Sequence, residues 1–128
     1  MVDLRYFTED ELKCPDTGIV GLAKGFGGAL DALRESYGKP MVINSGCRSS
    51  KYNDSIGGHS RSLHVYDEPY HPTGGCCAVD VRMHDSGDRA KFVEKALVHG
   101  WSVGVAKNFI HVDRRSDYIN YPQVLYVY

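Results

Sequence analysis

Apolar positions along the chain fall first at helical spacing and then in short strand-like runs. Thr8 with Glu11 forms a capping box for a short first helix. Leu22, Phe26, Ala29, Leu30, Leu33 and Tyr37 then recur on one helical face, and Gly38-Lys39-Pro40 stops that helix. Gly25, Gly27 and Gly28 weaken it, each by about 1 kcal/mol relative to Ala, which tight packing on a sheet would explain. Met41-Val42-Ile43 reads as a buried strand ending at a Ser45-Gly46-Cys47-Arg48 turn, and residues 49–75 read mostly as loop. Cys77 to Arg82 is a strand. Asp88 to His99 is a helix with Phe92, Val93, Ala96 and Leu97 on one face and Gly100 beyond its end. Ser102 to Val105, Phe109 to Asp113 and Val124 to Tyr128 complete the strands. The pattern predicts an α+β fold, one antiparallel sheet with helices packed on one side.

Length and charge narrow the classes. A chain of 128 residues suits one domain, residues 1–128, with a single core. No apolar run approaches the 18 or so residues of a membrane span. Fifteen basic against sixteen acidic residues provide no field to attract nucleic acid. Met1-Val2-Asp3-Leu4-Arg5 carries no secretory h-region, so the expectation is a protein without a signal peptide, and a monomer. Four cysteines, Cys14, Cys47, Cys76 and Cys77, are then expected to be reduced thiols, and no Cys-x-x-Cys spacing points to a thiolate metal site.

The candidate chemistry lies on the strands. Side chains at i and i+2 share a strand face, so His111 and Asp113 point the same way while Phe109, Ile110 and Val112 supply packing. Asp80 stands opposite Val79 and Val81 on its own strand, and His64 comes from a loop. Two imidazoles and a carboxylate make a three-ligand zinc set with an open fourth position, which distinguishes a catalytic site from a closed structural one. A metal so held lowers the pKa of its water to about 7. Three polar residues among many would also occur in any chain with six histidines, so the surrounding segments matter.

Those segments are Phe7-Thr8-Glu9-Asp10-Glu11-Leu12, Ile43-Asn44-Ser45-Gly46-Cys47-Arg48, Gly57-Gly58-His59-Ser60-Arg61-Ser62-Leu63-His64, Ala78-Val79-Asp80 and Phe109-Ile110-His111-Val112-Asp113. In this order they resemble the zinc D-alanyl-D-alanine peptidase family, which shares its fold with Hedgehog-type domains and includes bacterial carboxypeptidases and phage endolysins. The resemblance runs from about Phe7 to Tyr128. It implies a zinc on His64, Asp80 and His111, a substrate carboxylate on Arg48, and a peptidoglycan stem peptide as the partner. It also implies a phage-associated or cytoplasmic protein that acts on the cell wall. Ser62, two before His64, is expected beside the ligand or the substrate.

The chain departs from the family pattern in three places. Nine extra residues separate His64 from Asp80, and they bring Asp67, Glu68, Tyr70 and His71, the last a rival metal ligand. Cys76 stands where Gly is usual. Many relatives carry an acid three residues before the last His, or a His two before it; here those positions are Asn108 and Phe109. Asp113 is therefore the expected proton shuttle, with the insert's acids as the alternative. The competing reading is a non-catalytic zinc module that binds wall peptide or a protein partner. A thiol-based protein using Cys76-Cys77 is a weaker rival, because no motif sets a base beside a thiol.

Overall fold

In a computed structural model of the protein, residues 4–67 and 73–128 are described. Glu68, Tyr70 and His71 of the insert lie outside them.

Thr8 caps the first helix, α1 (Glu9–Leu12), with both halves of the capping box formed. Helix α2 (Phe26–Tyr37) starts four residues later than the apolar spacing predicts, because the chain at Leu22 bridges to Cys76 before Gly25 turns it. Gly38 ends α2 at φ 81°, a left-handed conformation that Gly adopts without steric penalty. Strand β1 (Val42–Ser45) leads to α3 (Ser50–Ser55), a helix within the stretch expected to be loop. β2 (Ala78–Arg82) and α4 (Ser86–Val98) follow, with the Asp85 carboxylate accepting the Asp88 N–H as cap. Then come β3 (Ser102–Val105), β4 (Phe109–Asp113), the short α5 (Arg115–Tyr118) and β5 (Leu125–Val127).

The strands form one sheet in the order β1-β2-β4-β3-β5. The α+β expectation holds, but the sheet is mixed rather than wholly antiparallel. β3 and β4 form a hairpin, and the chain leaving β4 reverses through α5 to reach the free edge of β3. Running opposite to β4, it lies parallel to β3, pairing Val103 with Leu125 and Val105 with Val127.

One sheet face carries Val79, Val81, Val103, Ile110 and Val112, all fully buried in one core with Phe26, Leu30 and Leu33 of α2 and Phe92 and Ala96 of α4. Tyr37 meets Phe92 edge-on at 5.1 Å, and Phe26 meets Trp101 at 5.6 Å. Each large side chain buried this way contributes about 1.5–3 kcal/mol, so the helix-covered face anchors the sheet. The opposite face carries the polar residues. Paired residues on neighbouring strands share a face, and the register sets Ser45, Asp80, His111, Gly104 and Tyr126 in a single row across all five strands.

Gly104 occupies the one place in that row where a side chain cannot fit. A Cβ there would stand 2.6 Å from the Tyr126 ring, which lies across the glycine towards His111 with ring centroids 6.2 Å apart. Gly104→Ala should therefore displace Tyr126 and destabilise the protein by about 1–3 kcal/mol, as overpacking does. Thermal unfolding of the variant measures this; an unchanged midpoint would show that the ring yields freely.

Candidate metal centre

His64, Asp80 and His111 converge at the base of a cleft of about 690 Å³. One ligand-capable atom from each lies within 4.8 Å of the others, and this is the one such cluster among the described residues. Asp80 Oδ1 is the meeting point, 3.2 Å from His64 Nε2 and 2.8 Å from His111 Nδ1. The sheet register supplies Asp80 and His111 directly. His64 is brought in by its loop, where Arg48 N–H donates to the His64 carbonyl and Tyr66 N–H to the Arg48 carbonyl.

The outer hydrogen bonds decide what this cluster suits. His64 Nδ1 lies 2.7 Å from the Gly46 carbonyl, and His111 Nε2 lies 2.8 Å from Asp113 Oδ2. A carbonyl and an ionised carboxylate only accept, so both outer nitrogens are N–H donors. In neutral rings this leaves lone pairs on His64 Nε2 and His111 Nδ1, both aimed at the same Asp80 oxygen. Three converging lone pairs call for a cation, and the two-imidazole, one-carboxylate set with an open side matches zinc.

Electrostatics agree with that assignment. Protons can take the metal's place between the rings and Asp80. Burial alone would raise the Asp80 carboxyl, but hydrogen bonds from protonated His111 and His64 outweigh it and hold the group well below the usual carboxylate range. Burial pushes the His64 imidazole down and towards the neutral, ligating form, with Asp80 opposing. Burial also acts to lower His111, yet Asp113 and Asp80 on its two sides raise it. Such a ring gives up a proton when metal binds, so affinity rises with pH.

Arg48 lies over Asp80. Its Nη2 is 3.4 Å from Asp80 Oδ2, Nε donates to Ser45 Oγ, and Nη1 donates to Asn53 Oδ1. Asn53, buried on α3, also donates to the His59 carbonyl and so ties the cleft loop to Arg48. Ser62 lines the cleft, and its Oγ accepts the His64 backbone N–H.

The Peptidase M15 family model matches residues 5–113 of the chain. The chain belongs to the Peptidase M15 family. No curated protein matches it. M15 peptidases are zinc-dependent, in keeping with the His-Asp-His cluster, so zinc is this chain's metal.

Asp113 is the residue expected to shuttle protons. Its side chain is 0% exposed and does not line the cleft. Both oxygens are engaged: Oδ1 accepts from Arg115 N and Nε, and Oδ2 from Arg115 Nη2 and His111 Nε2. These hydrogen bonds, working against burial, keep its carboxyl low and ionised. It sits behind the ligand His111, on the side away from Asp80. Arg115 is its arginine partner.

The insert's Asp67 accepts the Ser50 N–H at the start of α3 and does not line the cleft. Tyr66 bonds Thr17 outside it. His84 meets Arg82, and His99 caps α4. His59 does line the cleft. All four cysteines are free and buried, and burial pushes Cys77 up to about 12, so it is an inert thiol at neutral pH. Sequence reasoning missed Tyr126 on β5 and Tyr128 just beyond it as cleft walls, though their spacing of two in extended chain marks them as sharing a face. Nothing in the sequence pattern marks Asn53.

Proposed function

We propose that this M15-family protein hydrolyses peptide bonds of bacterial peptidoglycan, as a carboxypeptidase or an endolysin-type endopeptidase. The observation that carries the reading is the convergence of His64 Nε2, Asp80 Oδ1 and His111 Nδ1 at the floor of an open cleft. Zinc, when bound, supplies a Lewis acid for the scissile carbonyl and acidifies water to a pKa of about 7. The Gly46 carbonyl and Asp113 hold the two imidazoles in their ligating tautomers. Arg48, fixed by Ser45 and Asn53, offers its remaining donors to a substrate carboxylate. Asp113 acts as a positioning residue for His111.

Purified peptidoglycan incubated with the zinc-loaded protein should release peptide fragments that mass spectrometry assigns to a defined bond. Arg48→Lys should lower kcat/KM by roughly tenfold or more at saturating zinc, since a point charge cannot replace a planar fork. Digestion by the Lys variant at the wild-type rate would remove Arg48 from substrate recognition.

A non-catalytic zinc module remains the second reading, and one observation favours it. Asp80 is the sole carboxylate lining the cleft among the described residues, and it belongs to the metal set. A protein that binds wall peptide through zinc while releasing no fragments would decide for that reading.

A further inference from the structure

A continuous run of polar contacts crosses the metal centre and ends in a guanidinium on each side. Arg48 Nη2 reaches Asp80 Oδ2 at 3.4 Å, Asp80 Oδ1 meets His111 Nδ1, His111 Nε2 meets Asp113 Oδ2, and Asp113 holds Arg115. The metal position is in the middle of this run. Arg115, like Arg48, lines the cleft, and it lies beyond the residues matched by the family model. Its Nε and Nη2 are fixed on Asp113, and its Cζ stands 5.4 Å from the Tyr121 ring centroid and 5.7 Å from that of Tyr126. Two aromatic faces and a two-point contact leave the fork little freedom, so little entropy is lost when it binds an anion. Arg61 adds a third cation to the cleft wall. With a dication present, positive charge in and behind the cleft exceeds the two carboxylates, Asp80 and Asp113.

We propose that Arg115, set between Tyr121 and Tyr126, is a second carboxylate-binding position. The ligand of this cleft is then a peptide bearing two carboxylates, one held by Arg48 and the other by Arg115, with the metal between them. This rests on the reading of the cleft as a peptide site. It selects acidic peptides that extend to both sides of the metal over a simple dipeptide with one terminal carboxylate. Tyr121 and Tyr126 pack along the peptide next to the second carboxylate, and Gly104 gives Tyr126 the room to do so.

The test is binding of fluorescent short peptides with a free C-terminus to the zinc-loaded protein. Glutamate is placed in turn at each upstream position, and each peptide is paired with its glutamine counterpart. In the wild-type protein one placement of glutamate should bind about tenfold tighter than glutamine. Arg115→Gln should abolish that preference, read as the ratio of glutamate- to glutamine-peptide affinity at saturating zinc. Tyr121→Ala, which leaves the Asp113 contacts intact, should reduce the preference and gives a second reading if Arg115→Gln holds zinc poorly. Equal affinity for acid and amide at every position in the wild-type protein would overturn the proposal, as would a preference that survives Arg115→Gln. Acid-dependent binding without any hydrolysis would instead sink the peptidase reading and leave this one standing. Hydrolysis without acid preference would do the reverse.

Discussion

His111→Ala should leave the protein without zinc after dialysis and lower its melting temperature by on the order of 10 °C. Ligand bound only to the native state stabilises it by about 4 kcal/mol at a thousandfold excess over Kd, and that stabilisation disappears with the site. The variant also leaves Asp80 and Asp113 with one partner fewer in a dry environment. Wild-type protein stripped by a chelator should unfold close to the temperature of the variant, and zinc should restore only the wild type. Metal analysis beside calorimetry reads both effects. His64→Ala should behave in the same way. Full zinc occupancy in His64→Ala, with loss in His71→Ala, would move the ligand to the insert.

Asp113→Asn separates positioning from proton transfer. An asparagine can keep a contact to His111 or to Arg115, but it loses the charge and the two-point hold on Arg115. Zinc affinity should fall about 10- to 100-fold, as it does when the partner of a ligating histidine is weakened. Turnover at saturating zinc should change far less, and the shape of its pH–rate profile should stay as in the wild type. The opposite result, zinc held at wild-type affinity and turnover down 10²- to 10⁴-fold, is the signature of a lost general acid–base and would return Asp113 to the shuttle role.

Much of the site was legible because strand alternation is a strict code. Val79, Val81, Ile110 and Val112 claim one face, so Asp80, His111 and Asp113 have to share the other. The orientation of β5 was not legible, since side-chain alternation is the same beside a parallel neighbour as beside an antiparallel one. Helix α3 escaped detection because it has no apolar stripe. Its buried residue is Asn53, and its place is set by hydrogen bonds to Arg48 and His59 rather than by hydrophobic burial. The partner of His64 was hidden for another reason: it is the carbonyl of Gly46, and backbone groups are the same in every sequence. The surroundings of Asp113 turned on which neighbour it met. Spacing placed it beside the metal ligand, and only the fold shows Arg115 closing over both its oxygens.

The row of residues that runs across the strands makes metal capture a checkpoint on folding. A slip of one residue between β2 and β4 would turn His111 into the core and bring Val112 to the cleft, spoiling the donor set and the packing together. A mispaired chain would thus lack both the binding energy of zinc and the closed core, leaving it doubly disfavoured. Because two of the three donors sit on neighbouring strands in direct register, zinc uptake during refolding reports that β2 and β4 have paired as they do in the native sheet.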